Sequence, residues 1–142
     1  MPNFGAEKLA RMAQERGHPF RVLIIDDEKW VREVFHDFCQ LTDAFEVELA
    51  ASGPDGLELV EQNSYDLITV DLIMPEMSGL DVLTRIKEIR PRVPVMVITG
   101  NATDKLITEA GVLGACRVMY KPLELEEFVT ELTSALDRQA NL

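Results

Sequence analysis

Two apolar runs in this chain stop at carboxylates, and one of these acids, Asp71, is placed to do chemistry. It closes Leu67-Ile68-Thr69-Val70 and precedes Leu72-Ile73-Met74-Pro75-Glu76-Met77-Ser78-Gly79. A short β-prone run ending in an acid, then a Pro/Gly turn, reads as a buried strand delivering one carboxylate to a loop. Upstream, Arg21-Val22-Leu23-Ile24-Ile25 stops at Asp26-Asp27-Glu28 in the same way. Two such strands imply an acidic cluster at one sheet edge. Uncompensated, the cluster repels itself and raises a pKa. The common remedy is a hard divalent cation held by oxygens, Mg2+ or Mn2+. Asp71 can then attack a phosphoryl group as a carboxylate nucleophile, giving an acyl phosphate. That transfer needs mainly charge neutralisation and in-line positioning. The metal is expected on Asp27, Asp71 and the backbone carbonyl of Ile73, with Asp26 acting through a bound water. Lys121 is expected to neutralise one phosphoryl oxygen and Thr99 to donate a hydrogen bond to another. Alone, each has a bland reading: a strand-end Asp as a cap, a Lys before Pro as a surface lysine. Together they form a constellation.

The elements that must position these residues alternate. Strands are expected over 21–25, 45–50, 65–70, 93–98 and 117–120. Helices are expected over 29–41, 54–62, 80–89, 103–113 and 125–138. The first helix carries Trp30, Val34, Phe38 and Leu41 on one stripe, the third Leu80, Leu83 and Ile86, and the last Phe128, Val129, Leu132 and Leu136. Ser52 and Thr103 are good N-caps, and Gly114 suits a helix C-terminus. This (βα)5 pattern implies an α/β fold, a doubly wound parallel sheet with helices on both faces. The near-continuous apolar strands agree. The active crevice of such a sheet lies beyond the carboxyl ends of its strands, at the point where strand order reverses. Asp26, Asp27, Asp71, Thr99 and Lys121 all fall at strand C-termini.

Composition narrows the function. The 142 residues favour one domain, and a hydrophobic content of 46% supports an ordinary core. Acids outnumber bases 25 to 14, for a net charge of −11 at pH 7, which argues against direct nucleic-acid contact. No apolar stretch approaches a membrane span or a signal peptide. The two cysteines, Cys39 and Cys116, have no metal-ligand spacing and read as reduced, buried thiols of a cytoplasmic protein.

Four pieces in order resemble the receiver domain of two-component response regulators: Ile25-Asp26-Asp27-Glu28, Val70-Asp71 through Ser78-Gly79, Ile98-Thr99-Gly100, and Tyr120-Lys121-Pro122-Leu123. The intervals of 44 residues from Asp27 to Asp71, 28 to Thr99 and 22 to Lys121 are similar too. The resemblance covers about residues 20–136. It implies the flavodoxin-like strand order 2-1-3-4-5 and a phosphorylation switch. Asp71 would take a phosphoryl group from a histidine kinase or phosphotransfer protein with Mg2+. Thr99 would move toward it, and the face formed by the fourth helix, fifth strand and fifth helix of the (βα)5 unit would rearrange to regulate a downstream protein target or a fused output domain. A cis peptide at Lys121-Pro122 is implied as well. Such a domain is a regulator rather than an enzyme, catalysing only its own phosphorylation and dephosphorylation. The switch position three residues before the lysine, usually aromatic, is Val118. Tyr120 is expected on the other face by strand parity. Ile73 and Asn101 flank the acceptor and are expected to tune phosphoryl lifetime, Ile73 by shielding and Asn101 by holding water.

Other readings are weaker. A haloacid-dehalogenase-type phosphatase places a second Asp two residues after the nucleophile, where this chain has Ile73. An FMN binder needs a Ser/Thr/Gly-rich phosphate loop where this chain has Asp26-Asp27-Glu28. A non-phosphorylated pseudo-receiver and an N-terminal fragment of a multidomain regulator remain as alternatives, and a homodimer is left open. Residues 1–19 are expected as an extension to a receiver domain over 20–142. Its segment 7–15 is helix-compatible through Leu9, Met12 and Ala13 and is expected to be loosely docked, the alternative being an added helix packed on the domain or on a second subunit.

Overall fold

The computed structural model describes residues 6–40, 43–122 and 124–140. Five strands, β1 (Phe20–Ile25), β2 (Phe45–Ala50), β3 (Leu67–Val70), β4 (Val95–Thr99) and β5 (Arg117–Tyr120), form one parallel sheet in the order β2-β1-β3-β4-β5. The expected (βα)5 architecture and strand order are therefore present. Helix α1 (Ala6–Arg16) precedes the sheet. Helices α2 (Lys29–Cys39), α3 (Gly53–Gln62), α4 (Gly79–Ile89), α5 (Asp104–Val112) and α6 (Leu125–Ala140) follow successive strands. The chain changes direction across the sheet at β1, whose neighbours are β2 and β3.

Each buried strand divides its side chains between two cores, as the period of two requires. Val22, Ile24, Leu67, Met96, Ile98 and Met119 join one cluster with residues of α1, α2 and α6, including Phe35 and Phe128, whose rings stack 4.8 Å apart. Leu23, Ile25, Ile68, Val70, Val95 and Val97 join the other with residues of α3, α4 and α5. The capping expectations hold: Ser52 Oγ accepts from Asp55 N–H and Thr103 Oγ1 from Leu106 N–H, each at 3.2 Å. Gly114 follows α5 with φ +107°. Ser78 Oγ also caps, accepting from Asp81 N–H, which starts α4 at Gly79 rather than residue 80.

Several expectations change. The buried stripe of α2 is Val31, Phe35 and Cys39, with Val34 and Phe38 at its flank and Trp30 54% exposed. Adjacent apolar stripes one residue apart look alike in sequence, and the sheet selects between them. Strand β3 begins at Leu67, and Asp66 just before it is tied to β1 twice: its N–H donates to the Arg21 carbonyl and its carboxylate accepts the Arg21 N–H, each at 2.8 Å. Cys39 is buried, but Cys116 is exposed just before edge strand β5. Val118 packs with the α3/α4/α5 cluster and Met119 with the other, so Tyr120, two residues beyond Val118, shares its parity rather than opposing it. Finally, α1 is packed, not loose: Leu9 and Ala13 are buried in the cluster that holds α6. Leu41, Leu123 and residues 1–5 of the expected extension lie outside the described residues.

Candidate functional site

Asp26 and Asp71 follow β1 and β3, the two strands that meet where the order reverses. Parallel pairing brings Ile25 level with Val70, and the Asp71 N–H donates to the Ile25 carbonyl at 3.1 Å, so both acids lie at one edge of the sheet. Both are buried, while Asp27 is exposed. One carboxylate oxygen from each of Asp26, Asp27 and Asp71 lies within 4.8 Å of the others. Three hard oxygen donors that close suit a divalent cation of the Mg2+ type, and the buried pair needs a positive charge to offset it. The loop after Asp71 is held tightly. The Ile73 N–H donates to Asp71 Oδ1 at 3.1 Å, and a Cβ on Gly79 would collide with the Asp71 carbonyl oxygen and the Leu72 Cα.

Lys121 completes the site. Its N–H donates to the Thr99 carbonyl at 2.9 Å, carrying the end of β5 back over β4. Its Nζ reaches Asp26 Oδ2 at 2.8 Å, Glu28 Oε1 at 2.9 Å and Asp71 Oδ2 at 3.0 Å. Burial pulls the Lys121 pKa down, but the hydrogen bonds to Asp26, Glu28 and Asp71 together outweigh it, and the ammonium is held above its ordinary range. Burial raises the Asp26 pKa despite the hydrogen bonds from Lys121 and the Glu28 N–H. The exposed Glu28 carboxylate moves down, chiefly through its bond from Lys121 and then through that from Trp30.

Asp26, Asp27, Asp71 and Lys121 thus converge. Thr99 ends β4 beside them, buried, with its Oγ1 lacking a hydrogen-bond partner among the described residues. Ile73 and Asn101 are exposed on the loops after Asp71 and Thr99, and Val118 is half-buried in β5. The Lys121-Pro122 peptide is cis. Three contributors went unassigned in the sequence reading. Glu28 binds Lys121. Arg32 Nη1 donates to the Asp26 carbonyl at 2.7 Å. Gly79 permits the close approach of α4 to the loop after Asp71. Glu28 left a signal in the acidic triplet and Gly79 in the Pro/Gly turn after Asp71; Arg32 left none.

Residues 22–133 match the family described as response regulator receiver domain. The chain belongs to this family. As a receiver it is a signalling-switch module of two-component systems rather than an enzyme of the ordinary kind. The receiver is 32% identical to the chemotaxis protein CheY of Treponema pallidum over 123 residues, 84% of this chain and 85% of that protein. It is 33% identical to the transcriptional regulatory protein DltR of Streptococcus agalactiae over 113 residues, 79% of this chain but only half of that protein. Among solved structures it resembles a CheY-like receiver from Methanospirillum hungatei at TM-score 0.84 and 25% identity, covering 87% of this chain and 98% of that one. A receiver from Clostridium thermocellum aligns at TM-score 0.80 and 29% identity, covering 86% and 98%. No helix among the described residues of the receiver is long and apolar enough to cross a membrane.

Proposed function

We propose that this receiver is a phosphorylation-dependent switch whose phosphoacceptor is Asp71. The observation that carries the reading is the convergence on the buried Asp71 of the Lys121 ammonium, at 3.0 Å, and the Asp26 and Asp27 carboxylates. An Asp71 oxygen attacks the phosphorus of a phosphohistidine on a histidine kinase or phosphotransfer protein. The P–N bond breaks, and the imidazole nitrogen leaves with the electron pair and takes up a proton. Asp27, Asp71 and the Ile73 carbonyl would hold a Mg2+ ion, with Asp26 acting through water, and the chemistry such an ion would supply is an offset to charge on the transferring group. Lys121 neutralises one phosphoryl oxygen. The Thr99 hydroxyl, buried without a partner among the described residues, supplies a hydrogen bond to another.

The response passes from Thr99 to the surface made by α5, β5 and α6. With Val118 in place of an aromatic, the residue of β5 in register with Thr99 is Tyr120, half exposed and of the same parity as Val118. The target is a separate cytoplasmic protein, as suits likeness to CheY over most of both chains, or an output domain, as suits the longer transcriptional relatives. Incubation with acetyl phosphate and Mg2+, followed by intact-mass measurement, tests the assignment. The expected result is one added phosphoryl group that Asp71→Asn abolishes. The same gain in Asp71→Asn would move the acceptor elsewhere.

A further inference from the structure

A lysine ammonium has three N–H donors, and Lys121 directs them at Asp26, Glu28 and Asp71. These acceptors are not equivalent. Asp26 and Asp71 are buried, and their carboxylates belong to the cluster that suits a cation. The Glu28 side chain is 44% exposed and stands outside that cluster. It is nevertheless held in place. Its N–H donates to Asp26 Oδ1 at 2.9 Å, and its second carboxylate oxygen accepts the indole Nε1–H of Trp30 at 2.9 Å. Trp30 is displaced from the buried stripe of α2, and its indole N–H is spent on this acid.

A lysine with every donor engaged can reach a phosphoryl oxygen only by giving one bond up. Releasing Asp26 or Asp71 would leave a buried carboxylate oxygen without that partner, a costly outcome. Releasing Glu28 returns an exposed carboxylate to water at little cost. We propose that Glu28, steadied by Trp30, is a positioning residue that latches Lys121 in the resting receiver and yields it as Asp71 is phosphorylated. The inference rests on Asp71 being the acceptor. The Glu28–Lys121 bond belongs to the resting state and is absent both from the transition state and from the phosphorylated state. It therefore slows phosphorylation and leaves the decay of phospho-Asp71 unaltered.

The test uses the full chain, acetyl phosphate and Mg2+, with intact mass as the readout. Glu28→Gln should raise the phosphorylation rate by roughly fivefold, the factor for an exposed ion pair at the upper end of its range, with the decay rate unchanged. Trp30→Phe keeps the carboxylate and its charge but removes the indole N–H. It should raise the rate by a smaller factor, which separates a latch from simple relief of repulsion toward the anionic phosphodonor. Trp30, the sole tryptophan, should also change its emission on phosphorylation, with a smaller change in Glu28→Gln. A parent that is phosphorylated while both variants match its rate overturns the latch alone. Faster decay in Glu28→Gln also overturns it, since that would mean a wetter site. A parent that takes up no phosphoryl group overturns the reading of Asp71 and the latch with it.

Discussion

At the scale of single residues, the site is short of positive charge: the Lys121 ammonium stands among the carboxylates of Asp26, Asp27, Glu28 and Asp71. Lys121 is the cation that the buried Asp26 and Asp71 share, and its side chain is only 8% exposed. Removing one partner of a buried ionic group leaves the others uncompensated. Lys121→Ala should therefore lower the unfolding midpoint in chelator and recover much of it in Mg2+, where a cation takes over the offset. It should also cut phosphorylation by roughly a hundredfold, the usual loss on removing a preorganised donor to a developing charge. Thermal melts with and without Mg2+, beside the mass assay, check both. For the exposed flanking residues Ile73 and Asn101, the proposed role is in phosphoryl lifetime. Ile73→Asn should speed hydrolysis of phospho-Asp71 by wetting the acceptor. Asn101→Leu should slow it by removing an amide that can hold water and adding apolar cover. Decay measured after removal of phosphodonor, in excess Mg2+, reads the sign of each, and a reversed sign in either removes that residue from beside the phosphoryl group.

At the scale of elements, the loop after Asp71 is positioned by how closely α4 approaches it. Gly79 permits that approach, because any Cβ there meets the Asp71 carbonyl and the Leu72 Cα. Backbone cannot give way as a flexible side chain can, so Gly79→Ala should cost about 1–3 kcal/mol and shift Asp71. Urea denaturation should show the loss, and slowed phosphorylation should accompany it. Just before β3, burial, and after it the Glu48 carboxylate, push the Tyr65 phenol up from 10.0 to about 12. The folded state thus prefers the protonated phenol. That preference contributes fully to stability below pH 10 and fades as pH rises through about 12. Tyr65→Phe should flatten this part of the alkaline fall in stability, measured as denaturation midpoint against pH between 9 and 12; an unaltered slope would show that other groups carry it.

At the scale of the whole molecule, the (βα)5 unit and α1 share one core. Leu9 is fully buried in the cluster that contains Phe35 and Phe128. Leu9→Ala should cost about 2–4 kcal/mol, as other buried Leu→Ala changes do, while the folded variant keeps its rate with acetyl phosphate. A change below about 0.5 kcal/mol, the range of ordinary surface substitutions, would place α1 outside the cooperative unit. Much of the architecture was legible in the residues themselves. Alternating apolar strands and helices leave few topologies, and a parallel sheet carries every strand C-terminus to one edge, so Asp26, Asp27, Asp71, Thr99 and Lys121 were bound to gather once the strands were recognised. Those features follow from periodicity and strand polarity, which are local. What the tertiary structure decided depends on distances between elements far apart in sequence. The sheet chose Val31, Phe35 and Cys39 over the neighbouring stripe of α2 and left Trp30 at the surface to hold Glu28. The packing of α6 determined that α1 docks. The loops after β1 and β5 set Lys121 among three acids, one of them Glu28, at distances that no spacing in the sequence encodes.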